Sequence, residues 1–232
     1  MNVKIKTILF DAYGTLINTS NGSVTAAQAI LSKNNVSLDA ASFYARWKVL
    51  HKEHINKLTS FLSEEEIFLK DLERLYEEFC IEGKAIDDVG IMLRTLGIRT
   101  AFPETNEVLN GLKTHYSIYI ASTSDHAPLM NDVQTNGLKL DGVFSSELLK
   151  VYKPQKSFYL RILEELRCDP SEALFVGDSL DDDVWGPQSV GMKTVWINRK
   201  GQRVPEEQSA PDYIIQNLNE LFDVLKRIGS DL

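Results

Sequence analysis

The run Ile8-Leu9-Phe10 leads without a break into Asp11, with Gly14 and Thr15 close behind. An unbroken apolar run of this kind fits a strand buried on both faces of a parallel sheet. Open α/β sheets bind their ligands at the carboxyl ends of such strands, which is where Asp11 stands. Gly14 lets the backbone turn sharply and approach a ligand closely, and Thr15 offers a hydroxyl at the turn. A carboxylate held on a rigid strand end can act as a covalent nucleophile. It can equally cap a turn or the next helix. The stretch by itself leaves both readings open.

The chain that follows changes character twice. After a polar loop from Asn18 to Ser23, apolar residues recur at helical spacing as far as about Leu96. Ala27, Ile30 and Leu31 form one set, Phe43, Trp47 and Leu50 another, and Phe68, Leu72, Leu75 and Phe79 a third. Ser63 before Glu64-Glu65-Glu66 marks a helix start, since the helix dipole favours acids in the first turn. Gly97 and Pro103 bracket the exit from this region. From Glu104 onward, helical patterns alternate with the apolar strands Tyr116–Ala121, Gly142–Ser145, Ala173–Val176, Lys193–Ile197 and Tyr213–Ile215. A last helix runs from about Leu218 to Ile228. Such alternation predicts an α/β fold with a parallel sheet and right-handed crossovers. The predicted core is therefore discontinuous, residues 1–17 and 100–232, with an all-helical domain of residues 18–99 inserted after the first strand.

Sorting polar residues by the strand ends that deliver them gives four stations. They are Asp11, then Ser122-Thr123-Ser124, then Lys153 before Pro154, then Gly177-Asp178 with Asp181, Asp182 and Asp183. In a doubly wound sheet these converge on one crevice. Four carboxylates within six residues repel one another, and a hard cation is the usual remedy. Mg²⁺ takes one or two carboxylates and keeps several waters, so Asp11 and Asp178 suffice as direct ligands, with Asp183 orienting a bound water. The bland reading, a solvated turn and a helix cap, suits Asp181 and Asp182 and fits Asp178 poorly. For Lys153 and Ser122 taken singly, a surface lysine and a helix cap are adequate explanations.

The charge of −8 argues against nucleic acid or an anionic membrane as a bulk partner. It leaves room for a small anionic substrate, because a local lysine or a metal overrides the global sign. Two cysteines, Cys80 and Cys168, without metal-knuckle spacing predict reduced thiols and a cytoplasmic protein; a monomer or homodimer is expected, with nothing in the sequence to choose between them. The first strand follows the amino terminus directly, which predicts no signal peptide. No apolar stretch approaches the roughly 20 residues that span a membrane.

In order and spacing, these stations resemble the motifs of the haloacid dehalogenase-like (HAD) hydrolase superfamily. Asp11-Ala12-Tyr13-Gly14-Thr15-Leu16 is similar to its first motif, Ser122 to the second, Lys153 to the third, and Gly177-Asp178 with Asp183 to the fourth. The resemblance implies a HAD-like Rossmannoid core with strand order 5-4-1-2-3, and a mobile helical cap. It implies Asp11 as nucleophile, supported by Thr15, Ser122 and Lys153. It also implies Mg²⁺ held by Asp11, the backbone carbonyl of Tyr13, Asp178 and Asp183.

Two features pull toward different chemistries. Phosphatases of the superfamily carry an acid–base aspartate two residues after the nucleophile, where this chain has Tyr13. The wording Asp-Ala-Tyr-Gly-Thr-Leu is that of metal-free 2-haloacid dehalogenases, as are Val151-Tyr152-Lys153-Pro154, Tyr159 and Trp196-Ile197-Asn198-Arg199. In the insert, Trp47-Lys48 falls where those enzymes place Trp-Arg, so Lys48 or neighbouring Arg46 stands in for the halide-binding arginine, with Tyr13 and Thr123 also facing substrate. The fourth motif keeps the metal-binding wording instead. A carboxylate facing Asp11 without a metal would raise its pKa and blunt its nucleophilicity. On that ground Mg²⁺-dependent hydrolysis of a small phosphorylated metabolite is favoured over carbon–halogen cleavage. A catalytically weak binding or regulatory role is the third reading.

Overall fold

A computed structural model describes residues 4–205 and 208–229 of the chain. Six parallel strands form the main sheet. In chain order they are β1 (Thr7–Phe10), β4 (Ser117–Ser122), β5 (Gly142–Ser145), β6 (Ala173–Gly177), β7 (Lys193–Ile197) and β8 (Tyr213–Ile215). Across the sheet they run β5-β4-β1-β6-β7-β8, so the strand bearing Asp11 is central. The first five keep the expected order and β8 extends the edge beside β7.

Every residue of β1 and β6 is buried, and the alternation along each strand divides two cores. Ile8, Phe10, Leu174 and Val176 face one cluster with residues of α5 (Thr105–Leu112), α6 (His126–Thr135) and α10 (Leu221–Ile228). Leu9 and Phe175 face the other, with Phe158, Tyr159, Ile162 and Leu163 of α8 (Lys156–Leu166). This is why the strands read as continuous apolar runs rather than alternating ones.

Two short strands went unread in the sequence. β2 (Ile17–Asn18) and β3 (Thr100–Ala101) pair antiparallel, Ile17 opposite Ala101 and Asn18 opposite Thr100. Two residues apiece carry no periodicity, so only the pairing reveals them. Between them lie four helices, α1 (Gly22–Lys33), α2 (Ala40–Lys57), α3 (Glu64–Glu78) and α4 (Ala85–Leu93), packed around their own apolar cluster of Ala27, Ile30, Phe43, Trp47, Leu72, Leu75 and Met92. α3 begins as its sequence predicts. Ser63 Oγ accepts from Glu66 N at 3.3 Å and Glu66 Oε2 accepts from Ser63 N at 2.8 Å, a reciprocal capping box.

The insert meets the sheet-bearing part through a small seam. Ile55 and Ile67 pack against Tyr152, whose ring stacks on Phe61 at 5.3 Å between centroids and whose hydroxyl donates to the Leu62 carbonyl at 2.9 Å. Asp125, just past β4, accepts from the backbone N–H groups of Glu64 at 2.9 Å and Glu65 at 3.2 Å. A carboxylate from one part thus caps a helix of the other, satisfying two of the amides that a helix start leaves open.

Among the described residues, no helix is long and apolar enough to cross a membrane. α8 begins at Lys156, just past Lys153 and Pro154, and the acid cluster after β6 is wound into a single π-helical turn, Leu180–Trp185. That turn places Ser179 as its cap, Oγ accepting from Asp182 N at 3.3 Å.

Candidate active site

Register brings the four stations together. Phe10 lies level with Ile120 on one side and Val176 on the other, so Asp11 falls level with Ala121 and Gly177. Its own N–H donates to the Val176 carbonyl at 2.9 Å, which continues the sheet ladder through the residue. The loop that follows is tight. Gly14 has φ +99°, a conformation that favours glycine, and a Cβ there would sit 2.7 Å from the Asp178 carboxyl carbon. A side chain at Gly177 would likewise collide with Asp183. Arg199 clamps the loop from outside, donating to the carbonyls of Gly14 at 3.3 Å and Thr15 at 3.0 Å while pairing with Glu104 at 2.8 Å.

The charged centre is buried. Lys153 Nζ lies 2.8 Å from Asp11 Oδ1 and 2.7 Å from Asp183 Oδ1, with Lys153 3% exposed, Asp11 8% and Asp183 1%. Burial works against the lysine's charge, yet Asp11 and Asp183 together hold its ammonium above the ordinary lysine range. Asp183 spends its second oxygen on the Ser179 N–H at 2.9 Å. Asp178 has its backbone carbonyl held by Trp196 Nε1 at 2.9 Å, which leaves the carboxyl to face Asp11. Burial first, then the charge of Asp11, push Asp178 up to about 6. Burial also holds Asp183 well above the usual carboxylate range, against the pull of Lys153. One ligand oxygen from each of Asp11, Asp178 and Asp183 falls within 4.8 Å of the others.

That donor set suits a hard divalent cation: three oxygens, one lysine to balance three carboxylates, and a glycine that keeps the space before Asp178 clear. Asp178 has oxygens to spare for it and Asp11 Oδ1 a lone pair beside its bond to Lys153, whereas both oxygens of Asp183 are engaged, so Asp183 fits an orienting position better than a direct one.

Above this centre lies a cavity of about 370 Å³, roofed by α2 and α3 and floored by Thr123, Lys153 and Pro154. Thr123 on the cavity wall, and Thr15 and Ser122 at the strand ends, have buried hydroxyls with no hydrogen-bond partner among the described residues. An orphaned buried hydroxyl is costly, which marks these three as places for a ligand's oxygens.

The sequence-derived residues divide cleanly by position. Asp11, Thr15, Ser122, Lys153, Asp178 and Asp183 gather at the strand ends, with Thr123 and Lys48 on the cavity wall. Lys48 Nζ lies 5.3 Å from the centre of the Tyr44 ring. Arg46 is a correction: it does not reach the cavity. Its guanidinium makes a two-pronged bond to Glu78 at 2.8 and 2.9 Å on the outside of the helical insert, because position 46 lies across α2 from Lys48. Tyr13 borders the cavity, but its hydroxyl turns away, donating to Asp132 Oδ2 at 2.9 Å beneath the Arg99 guanidinium at 4.6 Å. Burial, then Asp132, raise its pKa far above the ordinary tyrosine value.

Four wall residues escaped the sequence reading: His51, Lys52, Glu64 and Arg99. His51 and His54 both direct Nδ1 at the buried carboxylate of Asp71, each at 2.9 Å, and their spacing of three on α2 was the available signal. Lys52 pairs with Asp181 across the seam. Arg99 had no local signal, since only the return of the chain beside Asp132 places it.

Fold and charged centre together define a hydrolase with a strand-borne aspartate. Residues 5–191 match the haloacid dehalogenase-like hydrolase family, and the chain belongs to it. Two relatives span nearly the whole chain. A glyceraldehyde 3-phosphate phosphatase of Pyrococcus furiosus is 28% identical, covering 98% of this chain and 96% of the relative. An (S)-2-haloacid dehalogenase 4A of Burkholderia cepacia is 27% identical, covering 96% of each. The L-2-haloacid dehalogenase of Xanthobacter autotrophicus shares the fold at TM-score 0.79 with 21% identity, covering 96% of this chain and 98% of the other. So does the HAD-hydrolase YfnB of Bacillus subtilis, solved bound to magnesium, at TM-score 0.79 and 22% identity, covering 96% and 99%.

Proposed function

We propose that the chain is a Mg²⁺-dependent phosphohydrolase acting on a small phosphorylated metabolite in the cytoplasm, with residues 18–99 as a cap over the substrate. One observation carries this reading: Asp178 faces Asp11 beside Asp183, and Lys153 alone cannot neutralise three carboxylates. Asp11, the Tyr13 carbonyl and Asp178 would hold the cation, with Asp183 fixing Lys153 and the turn behind it. When bound, the cation neutralises the facing carboxylates and polarises the phosphoryl group.

The chain's own residues supply the remaining steps. Asp11 attacks phosphorus with the oxygen that Lys153 does not hold. Lys153 holds the other Asp11 oxygen and meets a phosphoryl oxygen as a compact point charge. Ser122, Thr123 and Thr15 offer the hydroxyls that a phosphoryl group can satisfy. Closure of the cap excludes water while the covalent intermediate forms.

The phosphatase relative supports the reading, and the dehalogenase relatives support a second one. Tyr13 favours that second reading, because a halide departs without a proton and needs no acid at position 13. A substrate panel read separately for phosphate and halide, with magnesium and with excess chelator, decides between them. Phosphate release that chelator abolishes is the expected result. Halide release from 2-chloropropionate that chelator leaves untouched contradicts it.

A further inference from the structure

Departure of an alkoxide from phosphorus requires a proton, and a positioned acid typically contributes about 10²- to 10⁴-fold. Position 13 does not supply it, since the Tyr13 hydroxyl is committed to Asp132. Two carboxyl groups line the cavity among the described residues, those of Glu64 and Asp182. Asp182 belongs to the nucleophile's side: its charge acts on Lys153 and Asp183, and its backbone carbonyl accepts from Tyr159 at 2.5 Å.

Glu64 reaches the same cavity from the helical insert. It occupies the first turn of α3, and its neighbours take the structural duties of the acidic run. Glu66 closes the capping box with Ser63, and Glu65 points to solvent. Glu64 is instead turned inward by the seam. Asp125 holds its N–H at 2.9 Å, and Glu64 Oε2 accepts in return from Asp125 N at 3.4 Å, a weak bond that leaves the carboxyl available. The loop before it is pinned by Tyr152, the neighbour of Lys153. So Glu64 is wedged between the strand-end station of Ser122 and that of Lys153. Glu64 and Tyr13 line the same cavity. Burial holds its own carboxyl above the usual range, with Asp125 adding to this and His51 and Arg99 opposing.

We propose that Glu64, delivered by the cap, is the general acid and base of the reaction, in the place that position 13 leaves vacant. The inference rests on the phosphohydrolase reading above. In the first half-reaction an Asp11 oxygen bonds to phosphorus as the phosphorus–oxygen bond of the ester breaks. The electron pair leaves with the ester oxygen, which takes the Glu64 proton. In the second half-reaction water gives a proton to the Glu64 carboxylate and its oxygen bonds to phosphorus. The bond from phosphorus to Asp11 then breaks, releasing inorganic phosphate and restoring both residues. Because Glu64 arrives only with the docked cap, protonation is coupled to closure.

The test compares leaving groups in the full chain with magnesium. p-Nitrophenyl phosphate releases a stable anion and glycerol 3-phosphate an alkoxide. Glu64→Gln is expected to lower kcat/KM, which reports only the steps up to leaving-group departure, by about 10²-fold or more on glycerol 3-phosphate and by no more than about threefold on p-nitrophenyl phosphate, whose kcat instead falls with the shared second half-reaction. Glu64→Asp, which keeps an acid one methylene shorter, should recover part of the loss on glycerol 3-phosphate alone. Equal losses of kcat/KM on both esters in Glu64→Gln would make Glu64 a docking residue and overturn the proposal, as would no loss on either. If the wild type hydrolyses neither ester, the phosphohydrolase reading fails and this inference with it. Turnover of p-nitrophenyl phosphate with no wild-type activity on alkyl phosphates overturns the acid role alone.

Discussion

At the residue scale the site depends on Asp11, and its surroundings explain why an aspartate works there. Lys153 holds one oxygen in place at 2.8 Å, leaving the other to attack. Asp11→Asn is nearly isosteric but replaces the nucleophile with an amide, so turnover should fall below detection with the melting temperature preserved or raised. The rise is expected because Asn removes one of three crowded carboxylates. Retention of near wild-type turnover would exclude Asp11 as nucleophile. The first motif was legible in sequence because Asp11, Gly14 and Thr15 are close neighbours along the chain. Glu64 was not, because a glutamate in a first helical turn looks the same whether it faces solvent or a cavity.

At the element scale the telling feature is α3, whose start is capped twice. Ser63 serves it from within and Asp125 serves it from the sheet-bearing part. The inner cap was legible from Ser63 and Glu66 alone, since a capping box is a local pattern. The outer one depends on two segments about sixty residues apart in sequence meeting at the seam. Asp125→Ala should leave the capping box intact while costing about 1 kcal/mol, the usual worth of an N-cap. Thermal unfolding should register that loss, and hydrogen exchange should quicken at the amides of Glu64 and Glu65 first. Exchange that quickens uniformly across both parts of the chain, with no preference for the start of α3, would contradict the assignment. The two-residue strands β2 and β3 make the same point, for their pairing exists only once the insert has folded back.

At the scale of the whole molecule, charge and pH link the site to stability. Asp178 has a folded pKa of about 6, raised from the ordinary aspartate value. A carboxyl whose folded pKa is raised favours the folded state while protonated, and that contribution is lost as pH climbs through the folded value. The metal-free protein should therefore lose stability between about pH 4 and 6, where the unfolded chain ionises Asp178 first. Magnesium, binding the ionised site, should raise the melting temperature more at pH 7.5 than at pH 5. A magnesium shift independent of pH would speak against Asp178 as its ligand. The sequence alone determined the parallel sheet, the helical insert and the four strand-end stations, because apolar periodicity and turn residues act over short stretches of chain. It ranked phosphate above halide chemistry through one local cluster, Asp178 to Asp183. Only the tertiary structure decided that Arg46 faces outward, that Tyr13 turns its hydroxyl toward Asp132, and that Glu64 enters the cavity. Helix phase and domain docking set those directions, and both depend on contacts between residues far apart in the chain.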